Sequence, residues 1–141
     1  MKAKATYKVK KWEEHPYHET SPEIRMTKAS VEYGFSGDLE GTGSVEYLMF
    51  YSHFDPKDQH IATASYVALI RFQGSLGKKS GSFVMIDNGA FGAGTANSIL
   101  RIAEGSGTGM LRGITGTGMY RANQEGLHFE LEYDLPNDKP Q

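Results

Sequence analysis

Glycine constrains this chain more than any other feature of its sequence. Seventeen of the 141 residues are glycine, gathered in clusters, while the five prolines sit mostly toward the two ends. Glycine supplies the turns, bulges and bends that a closed sheet needs. Between the clusters, apolar and polar residues alternate with β-branched and aromatic enrichment, which is the pattern of strands. The last such segment is the clearest: Leu127, Phe129, Leu131, Tyr133 and Leu135 alternate with His128, Glu130, Glu132 and Asp134. One face of that strand meets a core and the other meets water.

The opening segment alternates in the same way, Ala3, Ala5, Tyr7 and Val9 against Lys4, Thr6, Lys8 and Lys10, up to an irregularity at Lys11-Trp12. It reads as an edge-like strand carrying lysines. Further strands are expected over 24–35, 44–53, 62–74, 81–86 and 110–120, separated by turn-rich links such as Ser36-Gly37-Asp38 and Asp87-Asn88-Gly89. Residues 95–104 fit both helical spacing and alternation and are read as strand. The run Phe35-x-Gly37-x-Leu39 is echoed by Phe72-x-Gly74-x-Leu76, as if two similar hairpins were present.

About eight strands joined by short links favour an antiparallel, up-and-down sheet over crossover helices. The expected fold is all-β, a closed antiparallel barrel of about eight strands, with a two-sheet sandwich as the alternative. The glycines favour the barrel, whose interior at this strand number is either filled by side chains or holds one small ligand, as in lipocalins.

The length suits a single domain over residues 1–141. A hydrophobic share of 38% with 23% charged residues calls for a packed core, and a net charge of -2 gives no field for nucleic acid or a membrane surface. With zero cysteines, disulfides, thiolate metal sites and cysteine nucleophiles are excluded. The first residues are charged and alternating, unlike an export signal, and the longest apolar stretches, 47–51 and 66–70, are too short to span a bilayer. A soluble, cytoplasmic protein without cofactor or metal is expected.

Three stretches carry a resemblance: Val45-Glu46-Tyr47-Leu48-Met49-Phe50-Tyr51, Gly81-Ser82-Phe83-Val84-Met85, and Gly105-Ser106-Gly107-Thr108-Gly109-Met110-Leu111-Arg112-Gly113. With Trp12-Glu13-Glu14 and Ser36-Gly37-Asp38-Leu39 they follow the order of the bacterial domain-of-unknown-function family three-two-two-four, which the chain resembles over nearly its whole length. The resemblance implies a barrel like that of allene oxide cyclase and no activity. At Met110 the family commonly has an acidic residue and near Asp87 a histidine, so the chain departs from it there, and this weakens a role built on either position.

Catalytic signatures are wanting. The Gly105–Gly118 stretch lacks the Gly-Lys-Ser/Thr ending of a phosphate loop and the strand–helix context of a dinucleotide site, so it reads as a hairpin. The His53–His60 run gathers two imidazoles and two carboxylates without metal-ligand spacing, and Pro16 spoils the presentation of His15 and His18. No Gly-x-Ser-x-Gly elbow is present. Glu32 and Glu46 could serve in acid–base work if they faced an apolar interior, although outward-facing strand carboxylates are commoner.

The aromatic residues give the better clue. Tyr33, Tyr47, Tyr51 and Tyr66, with Phe83 and Met85, combine apolar bodies with a few hydroxyls, as small-ligand pockets do. Glu46 and Arg71 are the charged candidates beside them, Arg71 as a partner for a ligand carboxylate. Residues 47–51 and 66–70 are apolar on both parities, so their outer face should be covered, by a homo-oligomer or by a terminal segment such as 137–141 or the Trp12 region. The leading expectation is a barrel that binds a small, largely apolar molecule. Its rivals are an isomerase or cyclase on a small hydrophobic substrate, and a ligandless barrel that self-associates.

Overall fold

The computed structural model describes residues 1–19, 25–53 and 62–136. Eight strands form the ring: β1 (Lys2–Glu19), β2 (Arg25–Gly37), β3 (Leu39–His53), β4 (Thr63–Leu76), β5 (Lys79–Gly92), β6 (Thr95–Ile102), β8 (Thr115–Asn123) and β9 (Gly126–Asp134). A two-residue β7 (Thr108–Gly109) pairs with Gly81 and Ser82 of β5, outside that ring. Each ring strand is antiparallel to its predecessor along the chain, and β1 meets β9 through pairs such as Ala5↔Phe129. The fold is therefore a closed up-and-down barrel, and the sandwich is set aside by the continuous ladder. No α-helix occurs among the described residues, and none is long and apolar enough to cross a membrane.

Closure corrects the edge reading only for the start of the first segment: β1 pairs with β9 over Lys2–Thr6 and with β2 from Ala5 to Glu19, so beyond Thr6 it has β2 as its single partner strand. Its irregularity falls one step early, as a register shift between Val9 and Lys11. Residues 95–102 are strand, as read. The strand expected over 110–120 begins only at Thr115, because Gly105, Gly109 and Gly113 take positive φ and turn the chain. Leu111 and Ile114 from that turn are instead buried as a stopper.

The two hairpins read as an echo close the same end of the barrel. Leu39 pairs directly with Leu76, and the rings of Phe35 and Phe72 meet edge-on at 5.6 Å. Gly41 and Gly74 face each other across β3 and β4, where a Cβ on either would run into the opposite strand's carbonyl oxygen. Only glycine permits so close a bend.

Side-chain size divides the interior. Along β4 the inward residues run Ala64, Tyr66, Ala68 and then Ile70, Phe72 and Leu76, small toward one end and bulky toward the other. At the bulky end Phe35, Phe72, Phe83 and Phe129 stack at 5.1 to 5.6 Å, sealed by Leu39, Leu111, Ile114 and Leu131. Each such buried side chain contributes about 1.5–3 kcal/mol. At the other end the alanines leave the barrel hollow.

On the outer wall Leu48, Phe50, Val67 and Leu69 are exposed, with Ile99 at 73% the most open of the large apolar residues. The Trp12 region does not cover them, since Trp12 lines the hollow end. Residues 137–141, and the 54–60 part of the His53–His60 run, lie outside the described residues.

Candidate functional site

The hollow end encloses a cavity of about 460 Å³. Its walls are apolar, with Met49 of β3, Ala64 of β4, Phe91 of β5, Ala96 of β6, Ala122 of β8 and Leu127 of β9. Toward the packed end it is lined by five tyrosines, Tyr7, Tyr33, Tyr47, Tyr66 and Tyr120, whose rings touch one another at centroid distances such as 4.9 Å for Tyr7–Tyr33 and 5.4 Å for Tyr47–Tyr66.

The tyrosine hydroxyls form a linked chain. Tyr33 Oη lies 2.5 Å from Tyr47 Oη, which lies 3.0 Å from Tyr120 Oη, and Tyr120 donates to Asp87 Oδ2 at 2.8 Å. A side branch places Tyr66 Oη 3.3 Å from Tyr120 Oη and 2.6 Å from Ser98 Oγ. Gly89 makes the branch fit, because a Cβ there would stand 2.5 Å from Tyr66 Oη. Asp87 itself is fully buried, and its Oδ1 has no hydrogen-bond partner among the described residues.

Burial pushes the Asp87 carboxyl up to about 6, with the Tyr120 and Ser98 hydroxyls pulling partly the other way. Burial likewise raises Tyr7, Tyr33, Tyr47, Tyr66 and Tyr120 above the ordinary phenol, so all five remain neutral. Asp87 does not line the cavity. Its link to the cavity is Tyr120, which donates to it and lines the cavity wall.

The mouth carries a second carboxylate. Glu14 Oε2 accepts from Thr27 Oγ1 at 2.6 Å and from Tyr51 Oη at 2.7 Å, and Glu14 Oε1 accepts from Trp12 Nε1 at 3.0 Å. The Arg25 guanidinium lies 5.7 Å from the centre of the Tyr51 ring, within cation–π range.

Among the expected ligand contacts, Tyr33, Tyr47, Tyr51 and Tyr66 line this cavity. Phe83 and Met85 do not, being buried in the packed half. Glu46 and Arg71 fall on the outward parity of β3 and β4, where Glu46 accepts from Ser30 Oγ at 2.8 Å and Arg71 donates to Gln73 Oε1 at 3.0 Å. Strand alternation thus removes both from the site. Glu32 takes the outward parity of β2 by the same rule.

Sequence reading missed Asp87, Ser98, Tyr120 and the Trp12–Glu14 pair as site residues. A signal existed for Asp87, which continues the inward parity of Phe83 and Met85. The turn-forming appearance of Asp87-Asn88-Gly89 hid it. Among the described residues, no three His, Cys, Asp or Glu side chains come together as metal ligands.

A family of proteins of unknown function, DUF3224, matches residues 3–134. The chain belongs to DUF3224. A crystal structure of a DUF3224 protein of unknown function from Shewanella oneidensis MR-1 aligns with it at a TM-score of 0.73 and 21% identity, covering 100% of this chain and 98% of that one. At that identity the likeness is one of fold. No curated protein matches the chain. DUF3224 membership supplies the barrel and no reaction, so chemistry has to be argued from the site.

Proposed function

We propose that this DUF3224 barrel binds one small, largely apolar molecule in its hollow end. The observation that carries the reading is the division of the interior, packed by phenylalanines at one end and left open by alanines at the other. A barrel needing only a core would fill both ends. The apolar body of the ligand lies against Met49, Ala64, Phe91 and Leu127, and its polar atom points to the tyrosine hydroxyls. A cytoplasmic setting accords with the cysteine-free composition.

The isomerase or cyclase reading ranks second, because Asp87 stands behind Tyr120 rather than against the cavity. Native mass spectrometry of protein purified from its own cells tests the leading reading. A small-molecule adduct that disappears in Ala64→Trp, which fills the hollow end, supports it. Wild-type protein that carries no adduct and takes up no apolar probe overturns it.

The outer wall supports a second reading, self-association. In register across four neighbouring strands stand Glu46, Leu69, Ile86 and Arg101, and beside them Leu48, Val67, Asn88 and Ile99. A two-fold axis parallel to the strands, between β4 and β5, sets Leu69 on the partner's Ile86 at the centre of the contact, with β3 and β6 at its rim. It also sets Glu46 against the partner's Arg101. What supports this reading is that the wall carries apolar residues at its centre and opposite charges, Glu46 and Arg101, on its two flanks.

A further inference from the structure

The direction of the hydroxyl chain follows from counting protons. A carboxylate only accepts, so with Asp87 ionised Tyr120 must donate to it. Tyr120 then has no proton for Tyr47, so Tyr47 donates to Tyr120 and Tyr33 donates to Tyr47. This is the one arrangement that places a proton in each of the three contacts. Tyr33, at the cavity end, is left with lone pairs alone. Among the described residues its hydroxyl has no partner other than Tyr47.

Adding a proton to Asp87 reverses the chain. On Oδ1 that proton would have no acceptor, which is costly for a buried donor, so it sits on Oδ2 and points at Tyr120. Tyr120 can then donate to Tyr47, Tyr47 to Tyr33, and Tyr33 into the cavity. Each hydroxyl gives up one proton and gains one, and the only net change is the proton taken from solvent.

We propose that Asp87, through Tyr120, Tyr47 and Tyr33, tunes what the cavity binds: small apolar alcohols and phenols whether or not it carries a proton, and carbonyl compounds more tightly when it does. This deepens the ligand reading above and rests on it. A hydroxyl can donate to the Tyr33 lone pairs or accept its proton, whereas a carbonyl can only accept. The groups facing Asp87 from the other strands are Tyr7 of β1, Tyr33 of β2, Tyr47 of β3, Tyr66 of β4, Ser98 of β6 and Tyr120 of β8, all neutral. Asp87 is thus the group in this cluster that titrates near neutrality, and burial puts it at about 6.

The test uses three probes on one skeleton, 1-tetralol, 1-tetralone and tetralin, with dissociation constants measured on the full chain at pH 7.5 and pH 5. Tetralone is expected to bind on the order of tenfold more tightly at the lower pH, while tetralol and tetralin change little. Calorimetry in two buffers of different ionisation enthalpy should show tetralone, and not tetralol, binding with net proton uptake at pH 7.5. In Tyr47→Phe, which cuts the chain while leaving Asp87 in place, the ratio of tetralone affinities at the two pH values is expected to fall to the ratio measured for tetralin on the same variant. Tetralone affinity that is the same at both pH values in wild-type protein overturns the proposal and leaves the ligand reading standing. Failure of all three probes to bind removes the ligand reading and this proposal with it.

Discussion

Asp87 is the residue on which the interior turns, and its position makes stability depend on pH in a definite sense. Its folded value lies above the ordinary carboxyl, from 3.8 to about 6, so the folded state holds the proton more tightly than the unfolded chain does. Its contribution is most favourable at low pH, is lost as pH rises through that window, and stays flat above it. Asp87→Asn carries no such dependence. Its stability relative to wild type is expected to grow by about 2 kcal/mol between pH 4 and pH 7.5. Urea unfolding of both proteins at the two pH values checks this, and a constant difference would mean that the carboxyl ionises as freely folded as unfolded. Gly89 is the second decisive residue, since an added Cβ would meet Tyr66 Oη at 2.5 Å and the Ser98 hydroxyl as well. Gly89→Ala should cost on the order of 1–3 kcal/mol through overpacking. A thermal melt equal to wild type would show that Tyr66 moves aside freely. The parity of Phe83 and Met85 pointed to Asp87, but Asp-Asn-Gly is also what a tight turn looks like, and parity can be followed only once the strand is known to continue; the role of Gly89 left no such signal.

At the scale of the strand, β4 separates the two halves of the barrel within one element. Phe72 is fully buried against Phe35 and Phe83, so Phe72→Ala should cost on the order of 3–5 kcal/mol by leaving a cavity that its neighbours cannot fill. Ala64 points into space that is already empty, so Ala64→Leu should cost under about 1 kcal/mol while reducing probe uptake. Denaturant midpoints for the pair measure the asymmetry, and equal losses would mean that the hollow end is as tightly packed as the other. Alternation made the strands legible, and turn chemistry made the hairpins so, because both are local properties of neighbouring residues. The start of β8 at Thr115 was not legible, since Leu111 and Ile114 keep an apolar look while serving as a stopper reached through three glycine turns. Tyr33, Tyr47, Tyr51 and Tyr66, which the sequence singles out by their apolar bodies and hydroxyls, all line the cavity. Tyr120 was missed because its partners come from β3, β4 and β5, and no local pattern joins them.

The whole molecule presents an apolar wall outside as well as a cavity inside, and the two demand different explanations. The strands of this wall, β3 to β6, each have a partner on both sides, so a second copy docking there packs on the face of the sheet and not along an edge such as the later part of β1, which pairs with β2 alone beyond Thr6. Leu69, 56% exposed, stands between Glu46 and Arg101 in the register of the wall, the arrangement a two-fold contact exploits. Glu46→Arg then sets arginine against the partner's Arg101, and Arg101→Glu sets glutamate against the partner's Glu46, so each single change should weaken the dimer by about tenfold. Combining them restores opposite charges across the contact and should recover most of the affinity. Loss in the singles with recovery in the double is a signature that a general effect on solubility would not give. Sedimentation velocity over a range of concentrations reads it directly. Wild-type protein that stays monomeric throughout would assign the wall to a different partner, and a double variant no better than the singles would place the contact elsewhere on the barrel.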